Sequence, residues 1–270
     1  MNFTKIKYSV ADRVATISLD DPESMNAFDG TMLDELVTAF KKAEDDANVK
    51  AVLLNSTSER AEQPAFSAGG NVKAMHAGFS ANPPKIDDFT NAIAKMASVT
   101  MAIMKIPKPV VCAVSGACVG AGFNVALACD YIIASDASLF MQAFARIGLI
   151  PDAGGMYLLT RAIGTKRAMQ LCLTADMIYA PEAKELGIVA ELVEGSDDDF
   201  TTAVEKRMKR FAGGPSTSYA QMKRLIWESS FKDFEQFVKA EVDAQSICAQ
   251  TSDFKEGIFA FVEKRRANFA

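Results

Sequence analysis

The sequence predicts an α/β protein, and two patterns along its 270 residues predict it. From the N-terminus to about residue 196, apolar runs typical of strands alternate with helix-like periodicity, as in folds whose strands are joined by helices. From residue 197 onward the pattern is helical throughout, and it breaks at Gly213, Gly214 and Pro215. We therefore divide the chain into an α/β core, residues 1–196, and a C-terminal helical region, residues 197–270.

The first half of the core begins with a strand, a helix and a second strand. The run RVATISLD (13–20) is typical of a strand, and VKAVLLNS (49–56) is typical of a buried strand. Between them, DGTMLDELVTAFKKAEDD (29–46) has the period of an amphipathic helix. Its predicted buried face consists of Met32, Leu33, Leu36 and Phe40.

The second half of the core repeats the order of strand, turn and helix. A buried strand, KPVVCAVSG (108–116), is followed by ACVGAGFNVALAC (117–129), in which glycines lead into a helix of small residues, and then by the strand DYIIAS (130–135). The run PDAGGMYLLTRAIG (151–164) predicts a further helix, with Pro151 in its first turn and Gly164 at its C-terminal stop.

Composition excludes several classes of function. A hydrophobic content of 49% supports a full core, and a net charge of -5 gives no basic surface for nucleic acid. The five cysteines lack CxxC spacing, so we expect reduced thiols, no disulfide and no metal site. The N-terminus is charged, and no apolar run reaches the roughly 18 residues of a membrane span. We expect a cytoplasmic protein with no membrane partner.

Two glycine-containing turns are candidates for ligand binding. They are FSAGGN (66–71) and SGACVGAGFN (115–124), and neither has the spacing of a phosphate loop or of a dinucleotide fingerprint. Small residues there allow backbone N–H groups to approach a ligand, but they also serve close packing of strand and helix. Glycine content alone does not separate these two interpretations.

Five segments of the chain follow one another in a recognisable order. They are SMNAF (24–28), FSAGGNVKAM (66–75), KPVVCAVSGACVGAGFNVALACDYIIAS (108–135), IGLIPDAGG (147–155) and EGIFAFVEKRRANF (256–269). Together they resemble the crotonase, or enoyl-CoA hydratase/isomerase, superfamily from end to end. The resemblance implies a crotonase-like spiral of ββα units and a C-terminal helical trimerisation region, assembled as a trimer or hexamer. It also implies an acyl-CoA thioester as substrate, with coenzyme A entering as part of the substrate and no separate cofactor.

The resemblance also assigns residues to the site. Two backbone N–H groups are expected to stabilise a thioester oxyanion, and by position these belong to Ala68 and Ala121. Lys73 and Lys264 match lysines near the nucleotide end of coenzyme A. The substrate-binding residues expected in all are Ala65, Phe66, Gly69, Gly70, Asn71, Lys73, Gly120, Asn124, Phe144 and Lys264.

The acid of the site separates the subfamilies. Hydratases of this family carry two glutamates, and the matching positions here are Asn124 and Phe144, neither of which transfers a proton. Asp152 matches the acid of the ring-opening epoxyphenylacetyl-CoA isomerases and of the chlorobenzoyl-CoA dehalogenases. One carboxylate can move a proton from C2 to C4 in a 3-enoyl to 2-enoyl shift. Burial among apolar side chains is expected to raise its pKa from the ordinary value of about 3.9.

The sequence therefore predicts an acyl-CoA isomerase that shifts a double bond or rearranges a ring, with Asp152 as acid and base. Three other functions stay open: an enoyl-CoA hydratase with an atypical site, a thioester-activated dehalogenase or hydrolase, and a non-catalytic homologue that binds coenzyme A or RNA. Asp152 also has a purely structural interpretation, because a carboxylate stabilises the start of a following helix.

Overall fold

A six-stranded sheet forms the centre of the computed structural model, which describes residues 3–57, 63–81 and 86–270. Within these residues the strand order is β1-β2-β3-β5-β7-β10, and every neighbouring pair is parallel except β1 and β2. The strands of this large sheet are β1 (Ile6–Ala11), β2 (Val14–Leu19), β3 (Ala51–Ser56), β5 (Val110–Val114), β7 (Tyr131–Ser135) and β10 (Glu191–Val193).

A second sheet is built from four strands of three residues each, in the order β4-β6-β8-β9, within the described part of the chain. They are β4 (Ala65–Ser67), β6 (Ala117–Val119), β8 (Leu139–Met141) and β9 (Met177–Tyr179). Only β9 runs antiparallel to its neighbour. The sequence analysis did not predict this small sheet.

The chain passes repeatedly from the large sheet to the small sheet and then into a helix. The helices of the core are α1 (Gly30–Asp45), α2 (Val72–Ala81), α3 (Ile86–Lys105), α4 (Ala121–Ala128), α5 (Gly155–Ile163), α6 (Thr165–Thr174) and α7 (Ala180–Glu185). The units β3-β4-α2, β5-β6-α4 and β7-β8-α5 share this order, and a 3-10 helix, Ala143–Ile147, precedes α5. The predicted α/β spiral of ββα units is confirmed.

The first helix illustrates how local sequence sets an element. The side chain of Asp29 accepts a hydrogen bond from the N–H of Met32 and so caps α1. The predicted apolar face is buried against the sheet, with Met32 and Leu36 fully enclosed.

The C-terminal helices pack on their own core. They are α8 (Asp197–Ala212), α9 (Ser216–Ser230), α10 (Phe234–Ala249) and α11 (Ser252–Val262). Phe200 and Met208 of α8 cover Leu53 and Ile133 of the large sheet, while α10 packs on α3 and α11 packs on α2. Helix α9 buries no residue, and Lys223 attaches it to the core by an ion pair with Asp130 at 2.6 Å.

One helix begins later than predicted. Helix α5 starts at Gly155 and not at Pro151, because Ala153 (φ 55°) and Gly154 (φ 74°) adopt left-handed conformations that a helix does not accommodate. Asp152 consequently lies in a loop before the helix. The predicted stop at Gly164 is confirmed.

Among the residues described, no helix combines the length and the apolar character needed to cross a lipid bilayer.

Candidate active site

The two glycine-containing turns contact each other. Gly69 has a φ of 90°, and a Cβ added to it would lie 2.8 Å from the carbonyl oxygen of Val119 and 3.3 Å from the nitrogen of Ala121. Only glycine allows this approach, because its backbone has no Cβ and tolerates positive φ. The fold therefore brings together two segments that are far apart in the sequence.

Ala68 does not have a free N–H group. Its amide donates to the carbonyl of Met25 at 2.9 Å, so the prediction that Ala68 supplies an oxyanion donor is wrong in this structure. Gly70 is different. The N–H of Phe28 donates to the carbonyl of Gly69, and the carbonyl of Phe28 accepts from the N–H of Asn71, which is the pattern of a parallel bridge between Phe28 and Gly70. In this pattern the N–H of Gly70 points away from Phe28. Within the described residues, that amide has no protein acceptor.

Ala121 presents the second amide. It is the first residue of α4, so its N–H has no acceptor inside the helix. No other acceptor lies on it in the described parts of the chain. Gly120, with a φ of 54°, precedes it and donates its own N–H to Met141 at 2.8 Å. The N–H of Ala121 thus has no acceptor in the described chain although the residue is buried, and the turn before it is fixed.

Phe144 lies against this turn as an apolar wall. A Cβ added to Gly120 would be 3.6 Å from Cε2 of the Phe144 ring, which is itself buried. Phe144, at a position where the resemblance implies a glutamate in hydratases, therefore provides an aromatic ring that cannot move a proton.

Asp152 lies in the loop between the 3-10 helix and α5, and the C-terminal helices touch both ends of this loop. A Cβ on Gly148 would be 2.8 Å from the carbonyl carbon of Asp253, at the start of α11. A Cβ on Gly154 would overlap the ring of Phe234, at the start of α10. The loop is consequently held by close backbone packing on two helices.

The Asp152 side chain is partly exposed, but its Oδ1 atom is buried and has no hydrogen-bond partner among the described residues. Burial raises the pKa of Asp152 to about 7, and the Asn124 amide opposes this by lowering it. A carboxyl group that titrates near neutrality can both remove and return a proton. The predicted rise in pKa is thus present.

Asn124 supports Asp152 and does not face a substrate. Its side chain is fully buried; Nδ2 donates to the carbonyl of Asp152 at 2.9 Å, and Oδ1 accepts from Nε2 of Gln142 at 2.8 Å. This corrects the prediction that Asn124 binds substrate. Because Ala121 starts the same helix, α4 connects the free amide to the acid-bearing loop.

Asn124→Ala is expected to lower the free energy of unfolding by about 1 to 3 kcal/mol, because it leaves the Gln142 amide buried without its acceptor. It also removes one of the two hydrogen bonds to the carbonyl of Asp152, which keeps the one from the N–H of Gly155. Urea denaturation measures the loss. The control is Asn91→Ala, on an exposed position of α3. Equal stability of the two variants would contradict the bracing role.

Several other predicted contacts are structural. Ala65 and Phe66 are fully buried in β4, so their side chains are not available to a ligand, which corrects both predictions. Asn71 accepts the N–H of Ala74 at 2.9 Å and caps α2. Lys73 on α2 and Lys264 just after α11 are exposed, and their contact with coenzyme A stays a prediction.

The sequence analysis missed a second acid. Glu241 of α10 is buried, and its Oε1 accepts the N–H of Gly154 at 2.8 Å. A signal was present, because the buried positions of α10 follow a helical period in which Phe234 and Val238 are apolar and the next is Glu241. An acid on the apolar face of a helix indicates a special role.

Within the described residues, no group of three His, Cys, Asp or Glu side chains could hold a metal ion. The arrangement of free amide donors beside a loop that carries one partly buried carboxylate suits proton transfer next to a carbonyl group. The fold and the site thus define an α/β protein of ββα units whose candidate site combines free amide donors with one carboxyl group.

The chain belongs to the enoyl-CoA hydratase/isomerase family, whose sequence pattern it matches over residues 9–270. It is 38% identical over 270 residues to the trans-2-decenoyl-[acyl-carrier-protein] isomerase of Streptococcus mutans, covering 100% of this chain and 99% of that protein. It is 30% identical to the 1,2-epoxyphenylacetyl-CoA isomerase of Escherichia coli, covering 95% and 94%. The crystal structure of an enoyl-CoA hydratase from Mycobacterium avium subsp. paratuberculosis superposes with a TM-score of 0.87, at 29% identity and full coverage of both chains. Family members act on acyl-CoA thioesters, and the relatives include both isomerases and hydratases.

Proposed function

We propose that this protein is an isomerase of enoyl thioesters, in which Asp152 moves one proton and the N–H groups of Gly70 and Ala121 stabilise the enolate oxygen. The proposal rests on which residues occupy three positions and on the contacts that they make. Asp152 has a pKa near 7, whereas the positions that match the two hydratase glutamates hold Asn124, which is engaged in bracing, and Phe144.

The proton balance of the reaction requires one base. The Asp152 carboxylate removes a proton from C2 of a 3-enoyl thioester, and the electron pair of that C–H bond passes into a dienolate whose oxygen accepts the two amide hydrogen bonds. Asp152 then returns its proton to C4, which leaves the double bond between C2 and C3. The same steps in reverse convert a 2-enoyl into a 3-enoyl thioester. An enolate-mediated ring rearrangement fits the same set of groups.

A hydratase is the second candidate, and Glu241 is the observation that favours it. Addition of water needs one group to activate water and another to supply a proton, and Glu241 is a second carboxyl group beside the same loop. Its Oε1 is engaged with Gly154, however, and its side chain is 2% exposed, so a water molecule has little access to it.

The carrier of the acyl group is part of the proposal. Coenzyme A is the carrier that the family favours, and the Streptococcus mutans relative is named for a thioester of acyl carrier protein. We propose an enoyl thioester of coenzyme A as the substrate, and we treat the acyl-carrier-protein thioester as the alternative to be tested beside it.

The test incubates the protein with 2-enoyl and 3-enoyl thioesters of both carriers in deuterated water and identifies the products by mass. An isomerase gives a product with no added water and a moved double bond, and it carries deuterium at C2 or C4 to the extent that the Asp152 carboxyl group exchanges with solvent before it returns the proton. A hydratase gives a product that gains one water. If neither product forms on either carrier, the proposal fails.

We also propose that the chain assembles as a trimer or hexamer. Large apolar side chains are exposed on α6 and α9, including Leu173, Leu225 and Ile226, each more than half exposed in the single chain. Light scattering is expected to give the mass of three or six chains. A monodisperse monomer would contradict the proposal.

A further inference from the structure

Two side chains of α10 hold the backbone of the Asp152 loop at both ends. Gln245 accepts the N–H of Ile150 at 2.9 Å and donates to the carbonyl of Ile150 at 2.8 Å. Glu241, one helical turn earlier, accepts the N–H of Gly154 at 2.8 Å. Asp152 is therefore fixed between two points of attachment on one face of α10.

The hydrogen bond from the N–H of Gly154 does not require an ionisable side chain at position 241. A glutamine would accept the same N–H, and Gln245 already uses an amide one turn away. Glu241 is 2% exposed, and its Oε2 is buried with no hydrogen-bond partner in the described part of the chain. No Lys or Arg described there forms an ion pair with it. Burying an unpaired acid lowers the stability of the folded chain, so the presence of a glutamate at position 241 needs a separate explanation.

Asp152 is the ionisable group that acts on Glu241. Burial, followed by the charge of Asp152, raises the pKa of Glu241 to about 8, and the N–H of Gly154 opposes the rise. Helices α3 and α11 pack on α10. The other charged side chains of α10, and those described on α3 and α11, are at least partly exposed or form ion pairs. In the described part of these helices they are Lys239 and Asp243, the ion pairs Lys95–Asp34, Lys105–Glu235 and Arg265–Glu256, and Asp253, Lys255 and Glu263.

We propose that Glu241 is a positioning residue for Asp152: it holds the acid-bearing loop through the N–H of Gly154, and its protonated form does so without repelling the Asp152 carboxylate. The proposal rests on the proposed role of Asp152 as the base. Like charges oppose each other, so ionisation of Asp152 favours the protonated form of Glu241. In that state the base is charged and its neighbour is neutral.

Above pH 8 both carboxyl groups would be charged, without a cation, around the same loop. Repulsion then displaces the loop, and a shift of about 1 Å in a reacting group can cost roughly 10² in rate. The turnover number is expected to rise through pH 7 and to fall about tenfold per pH unit above pH 8, in proportion to the protonated fraction of Glu241.

The test compares Glu241→Gln, which keeps an acceptor for Gly154 but cannot ionise, with Glu241→Leu, which removes the acceptor. The glutamine variant is expected to keep kcat within about threefold at pH 7.5 and to lose the decline above pH 8. The leucine variant is expected to lose about 10- to 100-fold in kcat with little change in KM. Asp243→Asn, which removes an exposed carboxylate from the same helix, is the control and should retain the wild-type profile.

A second measurement is independent of activity. Because the pKa of Glu241 is higher in the folded chain than its ordinary value, its stabilising effect is complete below about pH 4.5 and is lost as the pH rises through 8. The melting temperature of Glu241→Gln is therefore expected to fall less than that of the wild type between pH 6 and pH 9. If no thioester is turned over, the proposed function fails and this measurement still tests Glu241. A glutamine variant that keeps both the wild-type alkaline decline and the wild-type melting profile would overturn the proposal.

Discussion

Asp152→Asn is expected to reduce the rate of double-bond migration by about 10³-fold or more, with the affinity for the thioester nearly unchanged. General acid–base groups contribute about 10² to 10⁴ in rate, and a single residue that both removes and returns the proton belongs at the upper end. The amide has nearly the same volume as the carboxyl group, but it cannot accept a proton at neutral pH. Exchange of the C2 proton with deuterated solvent is expected to stop as well.

The control for this substitution is Asp136→Asn, which removes a carboxylate from an exposed position after β7. It should retain the wild-type rate and the wild-type exchange. An Asp152→Asn enzyme that isomerises at the native rate would exclude Asp152 as the base and would leave it a helix-start residue. In that case the substitution would cost only about 1 kcal/mol or less in stability.

Ala121→Pro is expected to lower kcat by about 10²- to 10³-fold, because it deletes one of the two amide donors to the enolate oxygen. Ala121 is the first residue of α4, and proline is well tolerated at this helix position, where the missing N–H has no helical partner. Steady-state kinetics and a binding assay with a non-reactive acyl-CoA analogue separate the loss of turnover from a loss of binding.

Ala121→Gly keeps the N–H group and is the matched control, so it should lose little activity. Gly70→Pro is expected to cause a loss similar to that of Ala121→Pro, because Gly70 has the free amide on the opposite turn. A folded Ala121→Pro enzyme with full activity would show that the N–H of Ala121 is not a donor.

Four strands of the large sheet, β2, β3, β5 and β7, could be predicted from the sequence because apolar residues alternate or run continuously along them. Strand β1 is mostly exposed and β10 has three residues, so neither was predicted. The run around Val110–Val114 is buried at every position, so its pattern is strong. The small sheet could not be predicted, since a strand of three residues, such as Ala65–Ser67, is too short to show a period. The start of α5 was predicted too early because the left-handed conformation of an alanine, here Ala153, cannot be recognised from the sequence.

The candidate site was predicted in part. The roles of Asp152 and Ala121 stay predictions from the resemblance, and the choice between Ala68 and Gly70 depends on how the turn pairs with Phe28, which small residues do not reveal. The roles of Asn124 and Glu241 depend on contacts across 28 and 87 residues of chain. Such partners are defined only by the fold, because nothing in the local sequence specifies which loop they meet.

The close packing of Gly148 against Asp253 and of Gly154 against Phe234 bears on when the site can exist during synthesis. A nascent chain can form the sheets and present the residues around Asp152 well before α10 and α11 have left the ribosome. Until then, the loop has neither of the helices that hold its ends. Chains are made from the N-terminus, and contacts between residues distant in sequence form late. The boundary near residue 196 therefore divides the α/β core from the helical region without dividing the candidate site, and a ribosome-bound chain ending before residue 230 is expected to be folded in part and inactive.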